Sequence, residues 1–363
     1  MKQEFPKKEA KMSKETTNNN SNSLNKKKII INIILALIIG LTINILISFF
    51  ANFEETLNVL KTTSFSFILK IFLAFSIAYL IDILRLYIVT FSFQKRIKFK
   101  DAMFNTFSYY FVSNITPMAS GGQPYQIYHL NKIGIESTLA TNIVLSRFVE
   151  NLIFSASIIL IFMRRVVNIL NKAGARKHLL IIGIILSLSF SFIVILLFIR
   201  PKFVYNIFKF IVKIVPMKNK TKFEKRIANL ENWLEELKES INSLWIKKSI
   251  IVIIDFILGG FIVLFHALGL YLTLVGITGI NLQFLDVFTL FVIMNFVIYY
   301  IPTPGSSGGV EVFYSIVLSG FIPGKFVSST ILIWRFATYY LQIALQGIIM
   351  YLSKNNSKTV PAS

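Results

Sequence analysis

The stretch "NITPMASGGQPYQIYHLNK", Asn114 to Lys132, decides how this chain is read. It sets two prolines, two glycines, a serine and a histidine between hydrophobic runs. Directly before it, "DAMFNTFSYYFVS" (Asp101 to Ser113) is apolar and aromatic. That run is too short to cross a bilayer, which takes about 20 helical residues. A half-span that turns back at Pro117 satisfies both observations. The same style of break returns in "YYIPTPGSSGGVEVFY", Tyr299 to Tyr314.

The surrounding runs are those of an integral membrane protein. "IIINIILALIIGLTINILISFFA" (Ile29 to Ala51) carries no charge, and the chain as a whole has a mean hydropathy of +0.66. The run exceeds a signal-peptide core and no small-x-small cleavage site follows it, so it reads as a retained span. Residues 1–28 are expected to be a disordered, basic cytoplasmic tail, 29–352 a membrane domain, and 353–363 a short C-terminal tail. The absence of cysteine excludes disulfides, thiolate metal sites and cysteine nucleophiles. His129, His178 and His266 lie far apart, so neither a metal nor a cofactor is expected.

The net charge of +21 lies next to the hydrophobic runs. Its plain reading is topological, because basic residues flank spans on the cytoplasmic side. A sharper one is attraction for anionic phospholipid, at about 1 kcal/mol per basic residue near the surface. "NKKK" before the first span predicts a cytoplasmic N-terminus for a multi-pass protein of the cell membrane. The second span, about Ser64 to Phe93, then returns to an inner "QKRIKFK". Further spans are expected over Glu136–Met163, His178–Ile199, Ser249–Val275, Phe284–Ile301 with Val310–Ser319, and Phe326–Leu352. If both breaks are re-entrant, one enters from inside and the other from outside, as in inverted-repeat transporters. The expected fold is thus an all-α, multi-pass helical bundle of about six to eight membrane segments, with two broken or re-entrant helices and an inverted repeat. One conflict stands: the loop Arg164–Lys177, with five basic residues, falls outside.

Between spans, Phe223, Ile227, Leu230, Leu234, Leu237, Ile241 and Leu244 recur at spacings of four and three. This predicts an amphipathic helix over 223–248, lying on the inner surface or against the protein; three heptads are marginal for a coiled coil.

Irregular backbone at membrane depth is tolerated where it is buried in protein or lines a watery cavity. Taken singly each break also reads as an ordinary loop, but the pair favours a polar site. Pro117, Pro124, Pro302 and Pro304 stop helices, while Gly121, Gly122, Gly305, Gly308 and Gly309 allow unusual torsions and close approach. Helix starts after the breaks would aim free N–H groups at an anion such as phosphate, with Gln123 beside them. Charges within spans are costly and face a cavity or a partner. Arg147 and Glu150 share a helical face and can pair, Glu311 follows the second break, and Arg335 sits mid-span. These four are the candidate headgroup ligands. Asp82 and Arg85, also three apart, read as an internal salt bridge, and Asp255 stays unassigned. His129 reads as a polar loop residue rather than a catalytic base.

"NITPMASGGQPYQIYHLNKIGI" with "LSRFVEN", then "IPTPGSSGGVEVFY" with "LIWRFATYYLQIALQG", resemble the transmembrane, flippase-like domain of lysylphosphatidylglycerol synthases, which also occurs alone in YbhN-type membrane proteins. The resemblance runs from the first span to the last. It implies movement of phosphatidylglycerol or lysylphosphatidylglycerol between leaflets, and resistance to cationic antimicrobial peptides as the setting. In the full synthases a separate cytosolic domain transfers lysine from lysyl-tRNA to phosphatidylglycerol. This sequence stops shortly after its last span, so the chain is expected not to be an enzyme by itself. The alternatives are a phosphatidylglycerol lysyltransferase, alone or with a separate soluble transferase, and an assembly role for the amphipathic helix. No GxxxxGK[ST] motif is visible, so any transport is expected to be passive or ion-coupled.

Overall fold

The computed structural model describes residues 42, 53–93, 97–116, 119–174, 177–214, 220–298 and 309–356, with backbone only at 208, 211–214, 220–229 and 351–356. The tail 1–28, nearly all of the first expected span, and Pro117, Pro302, Pro304, Gly305 and Gly308 lie outside these residues. Among the described residues every regular element is a helix, which makes the chain a helical membrane bundle. Four helices are long and apolar enough to cross a membrane. They are α2 (Phe65–Ser92), α5 (Ser137–Ile161), α7 (Lys177–Ile199) and α10 (Ser249–Thr278). Short α1 (Phe53–Thr62) precedes them.

α2 and α10 form the central pair and run antiparallel. Phe67 lies against Gly276, Ile71 against Gly269, and Arg85 against Gly259. Glycines along α10 let bulky side chains of α2 reach its backbone, the usual device where no water drives helices together. Phe65 and Thr278 therefore share one end, the upper end. Ser92 and Lys248 share the lower end, where the Lys248 ammonium bonds the Ser92 carbonyl.

Each break is flanked by a pair of shorter helices. α3 (Phe99–Ile115) and α4 (Gly122–Lys132) pack together, and Ile97, Ala102, Leu130 and Ile135 share one core cluster at the lower end. α11 (Phe284–Ile298) and α12 (Gly309–Leu318) belong to the upper end. There Arg165 contacts Asp286, and a side chain on Gly320 would meet the Lys172 carbonyl 2.8 Å away. The two pairs thus enter from opposite ends, matching the inverted arrangement read from the sequence. α13 (Gly324–Arg335) continues through a π-helical turn (Phe336–Tyr340) into α14 (Leu341–Asn356), which carries the last helix past the expected boundary at 352.

Two further expectations need refinement. The basic loop Arg164–Lys177 is mostly a helix, α6 (Met163–Lys172), because Val166, Ile169 and Ala173 recur at helical spacing and bury against the bundle. The amphipathic segment is α9 (Lys220–Asn242) plus a π-helical turn (Ser243–Lys247). Its Leu234, Leu237 and Ile241 pack on Val149 of α5 and Phe198 of α7, so this part of the seam faces the protein. α8 (Lys202–Ile214) lies alongside α9, joined by a 2.9 Å ion pair from Lys202 to Glu235.

Candidate functional site

Three crossing helices carry charge to one depth. Asp82 and Arg85 on α2, Arg147 and Glu150 on α5, and Asp255 on α10 are all buried. The i, i+3 spacing on α2 and α5 puts both charges of each pair on one face. Arg85 is the hub. Its Nε and Nη2 donate to the two carboxylate oxygens of Asp255 at 2.9 and 2.8 Å, and Nη2 also donates to Glu150 at 3.1 Å. Its Nη1 stands 3.6 Å from the Asp82 carboxylate. Arg147 donates to the Asp82 backbone carbonyl at 3.1 Å and to its carboxylate. Buried charge survives only with this degree of pairing, and the fork of an arginine serves several acceptors at once.

The sequence-based pairing is thereby corrected. Arg147 and Glu150 turn to different partners, because neighbouring helices offer carboxylate and guanidinium groups at better geometry than the same face does. Asp255, unassigned from sequence, anchors the hub. Asp82 and Arg85 approach each other as expected, but within a three-helix network. Gly259 makes room for it: a Cβ there would lie 3.2 Å from Cζ, Nη1 and Nη2 of Arg85 alike, so the guanidinium lies flat against α10. Since carboxylates hold Arg85 in place, Gly259→Ala is expected to cost about 1–3 kcal/mol through overpacking, read as a lowered unfolding midpoint in detergent.

Beside Arg147 lies a cavity of about 150 Å³, between α2, α3, α4, α5, α10 and α11. Asp82, Tyr110, Gln123, Gln126, His266 and Asn295 are among its walls. Arg147 Nε, Gln126 Nε2 and His266 Nε2 have no hydrogen-bond partner among the described residues. Gln123 and Gln126 stand one turn apart on α4, so the first break delivers them to the cavity. Gln126, His266 and Asn295 were missed from sequence, although each is a polar residue beside or within an apolar run.

The break itself works differently from the expectation. Gly121 and Gly122 do not use left-handed torsions; Gly121 has φ −83°, and the positive φ falls on Ala119 at 52°. They serve close packing, since a Cβ on Gly122 would lie 1.9 Å from Ser113 Oγ. Pro124 does not stop a helix but sits in the first turn of α4, where a missing N–H costs no intrahelical bond. His129 is not a loop residue; it is buried on α4, 3.1 Å from the Asn105 amide.

Glu311 and Arg335 form a second centre. Arg335 Nε donates to Glu311 at 2.9 Å, and the guanidinium lies 3.8 Å from the centre of the Tyr339 ring. Both are buried, and neither lines the cavity beside Arg147. The four candidate charges therefore divide between two centres, with no ion pair joining them among the described residues. Gly309 opens α12, two residues before Glu311. The first break reaches the π-helical turn instead: Tyr339 Oη donates to the Asn114 carbonyl at 3.1 Å, and the Asn114 amide to Gln346 at 3.3 Å.

Fold and site together define a helical membrane protein built round a buried charge network and a polar cavity walled by a hairpin. The chain belongs to the family of the lysylphosphatidylglycerol synthase TM region, whose model matches residues 33–345. It is similar to a UPF0104 membrane protein of Archaeoglobus fulgidus, 25% identical over 329 residues that span 90% of this chain and 98% of that one.

Proposed function

We propose that the chain binds the phosphate of a phospholipid headgroup in the cavity beside Arg147 and passes the headgroup between leaflets. The observation that carries this reading is the pair of unpartnered donors, Arg147 Nε and Gln126 Nε2, at a cavity between membrane-crossing helices. A buried donor without an acceptor is costly, and a phosphate oxygen would relieve it. At about 30 Å³ per water, the cavity has room for about five waters. A phosphate group fits that space while the acyl chains stay in the bilayer. A charged headgroup needs such a polar way station because bare charge at bilayer depth is expensive. Family membership supports phosphatidylglycerol or its lysylated form as the lipid, in the cell membrane, with resistance to cationic peptides as the consequence.

Leaflet exchange in liposomes tests the reading. Labelled phosphatidylglycerol and lysylphosphatidylglycerol are expected to exchange faster with the protein than without it. Arg147→Ala should abolish the gain. Gln126→Leu leaves the ion network whole and should slow exchange about tenfold or more, as expected for one lost hydrogen bond to a charged group. Folded protein that exchanges neither lipid would sink the proposal. Lysylphosphatidylglycerol made in a host that lacks it would favour an aminoacyltransferase instead.

A further inference from the structure

The upper end carries a feature that headgroup movement through the central cavity does not use. α6 lies between two membrane-crossing helices, α5 and α7, and buries Val166 and Ile169. Met163 and Val167 on another face are exposed. Its sequence and the residues after it, up to Lys177, hold five basic residues and no acidic one. That violates the usual placement of positive charge if the lower end is cytoplasmic. Arg165 pairs with Asp286 of α11, whereas Arg164, Lys172 and Lys177 make no ion pair among the described residues. An amphipathic helix with uncompensated basic residues between two spans is built to lie in a lipid interface.

α6 also borders a cavity of about 280 Å³, lined by Arg165, Asn168, Asn171, Lys172, Asp286 and Phe321. The Asp286 carboxylate is engaged by Arg165, while the Lys172 ammonium stands 5.8 Å from the Phe321 ring centre. Ammonium and amide donors around an open polar pocket at the upper end of the bundle complement a phosphodiester. We propose that this pocket is a second lipid site, which holds the headgroup of an anionic phospholipid from the leaflet at the upper end. Lys172 supplies the charge, Asn168 and Asn171 the directed hydrogen bonds, and Met163 and Val167 sit among the acyl chains. The excess positive charge of α6 then has a local cause in lipid binding, independent of how the chain was oriented at insertion.

The test uses the full chain in nanodiscs of phosphatidylcholine doped with spin-labelled phosphatidylglycerol, reading the immobilised fraction. Each basic residue near an anionic surface contributes about fivefold, so Arg164→Gln/Lys172→Gln should weaken the tight class of label about 30-fold at low salt. Lys172→Arg should retain it. Asn168→Leu/Asn171→Leu leaves the charge unchanged and should weaken it by about tenfold. These side chains lie at the surface, and unchanged unfolding midpoints will show that the variants fold. Binding unaltered in the charge variant overturns the proposal. Loss in the charge variant but none in the asparagine variant overturns the pocket, leaving only diffuse attraction. Displacement of the label by soluble glycerol phosphate would show that the pocket takes a free phosphate rather than a lipid. Label held beside Arg147 is common to all of these variants, so the differences between them report the α6 pocket and stand or fall separately from leaflet exchange through Arg147.

Discussion

Arg85→Leu is expected to destabilise the folded protein by about 3–5 kcal/mol, the usual cost of removing one partner from a buried charge network. The reason lies in what would remain. Asp82, Glu150 and Asp255 bring three carboxyl groups to one depth, and Arg85 bonds or approaches all three. Without it, Arg147 compensates only Asp82 directly, and the buried carboxyls of Glu150 and Asp255 are left with each other. Arg85→Lys should recover only part of the loss, because an ammonium cannot reproduce the two parallel bonds to Asp255. The double variant Arg85→Leu/Asp255→Leu should be more stable than Arg85→Leu, since it removes a stranded carboxyl as well. Unfolding followed by tryptophan fluorescence in detergent, with elution profiles for aggregation, measures all three. An Arg85→Leu protein with the native midpoint would show that the network does not hold the helices together.

Gly122→Ala is expected to have the next largest effect. The added Cβ would fall 1.9 Å from Ser113 Oγ and 2.8 Å from two carbons of the Tyr109 ring, so α3 and α4 must separate. Overpacking of this kind costs about 1–3 kcal/mol, occasionally more. The displacement would also move Gln123 and Gln126, and with them the part of the cavity wall that they form. Both stability and leaflet exchange should therefore fall. Ser113→Ala in the same chain removes the nearest clashing atom and should restore part of the stability. Full stability of Gly122→Ala alone would mean that the hairpin does not depend on close approach at this glycine.

Much of this architecture was legible in the amino-acid order. The span expected over Ser64–Phe93 is found as Phe65–Ser92, because an apolar run bounded by polar residues leaves a membrane helix few alternatives. The short helices before both breaks and after the second were legible for the same reason, whereas α4 was not, because Gly121, Gly122 and Pro124 read as one break continuing to Lys132. α6 was missed: Val166, Ile169 and Ala173 carry helical periodicity, but the surrounding basic residues made the segment read as a loop. In the site, Arg147 was found because a charge within an apolar run requires a partner. Its actual partner was not, since i, i+3 spacing reveals only neighbours on the same helix.

The amino-acid order alone established that the chain is a helical membrane protein, which apolar runs form its crossing helices, and which charges must be buried. Those follow from local quantities, namely the length of apolar runs, the positions of proline and glycine, and the cost of charge in lipid. Helix packing settled that Arg85 meets Asp255 across 170 positions of chain, that Arg147 turns to Asp82, and that Glu311 and Arg335 form a centre of their own. The antiparallel docking of α2 on α10, with Gly259 against the guanidinium, sets the first of these pairings. Several carboxylates could satisfy each arginine equally well in composition, and only the packing of helix on helix fixes which lies within hydrogen-bond reach.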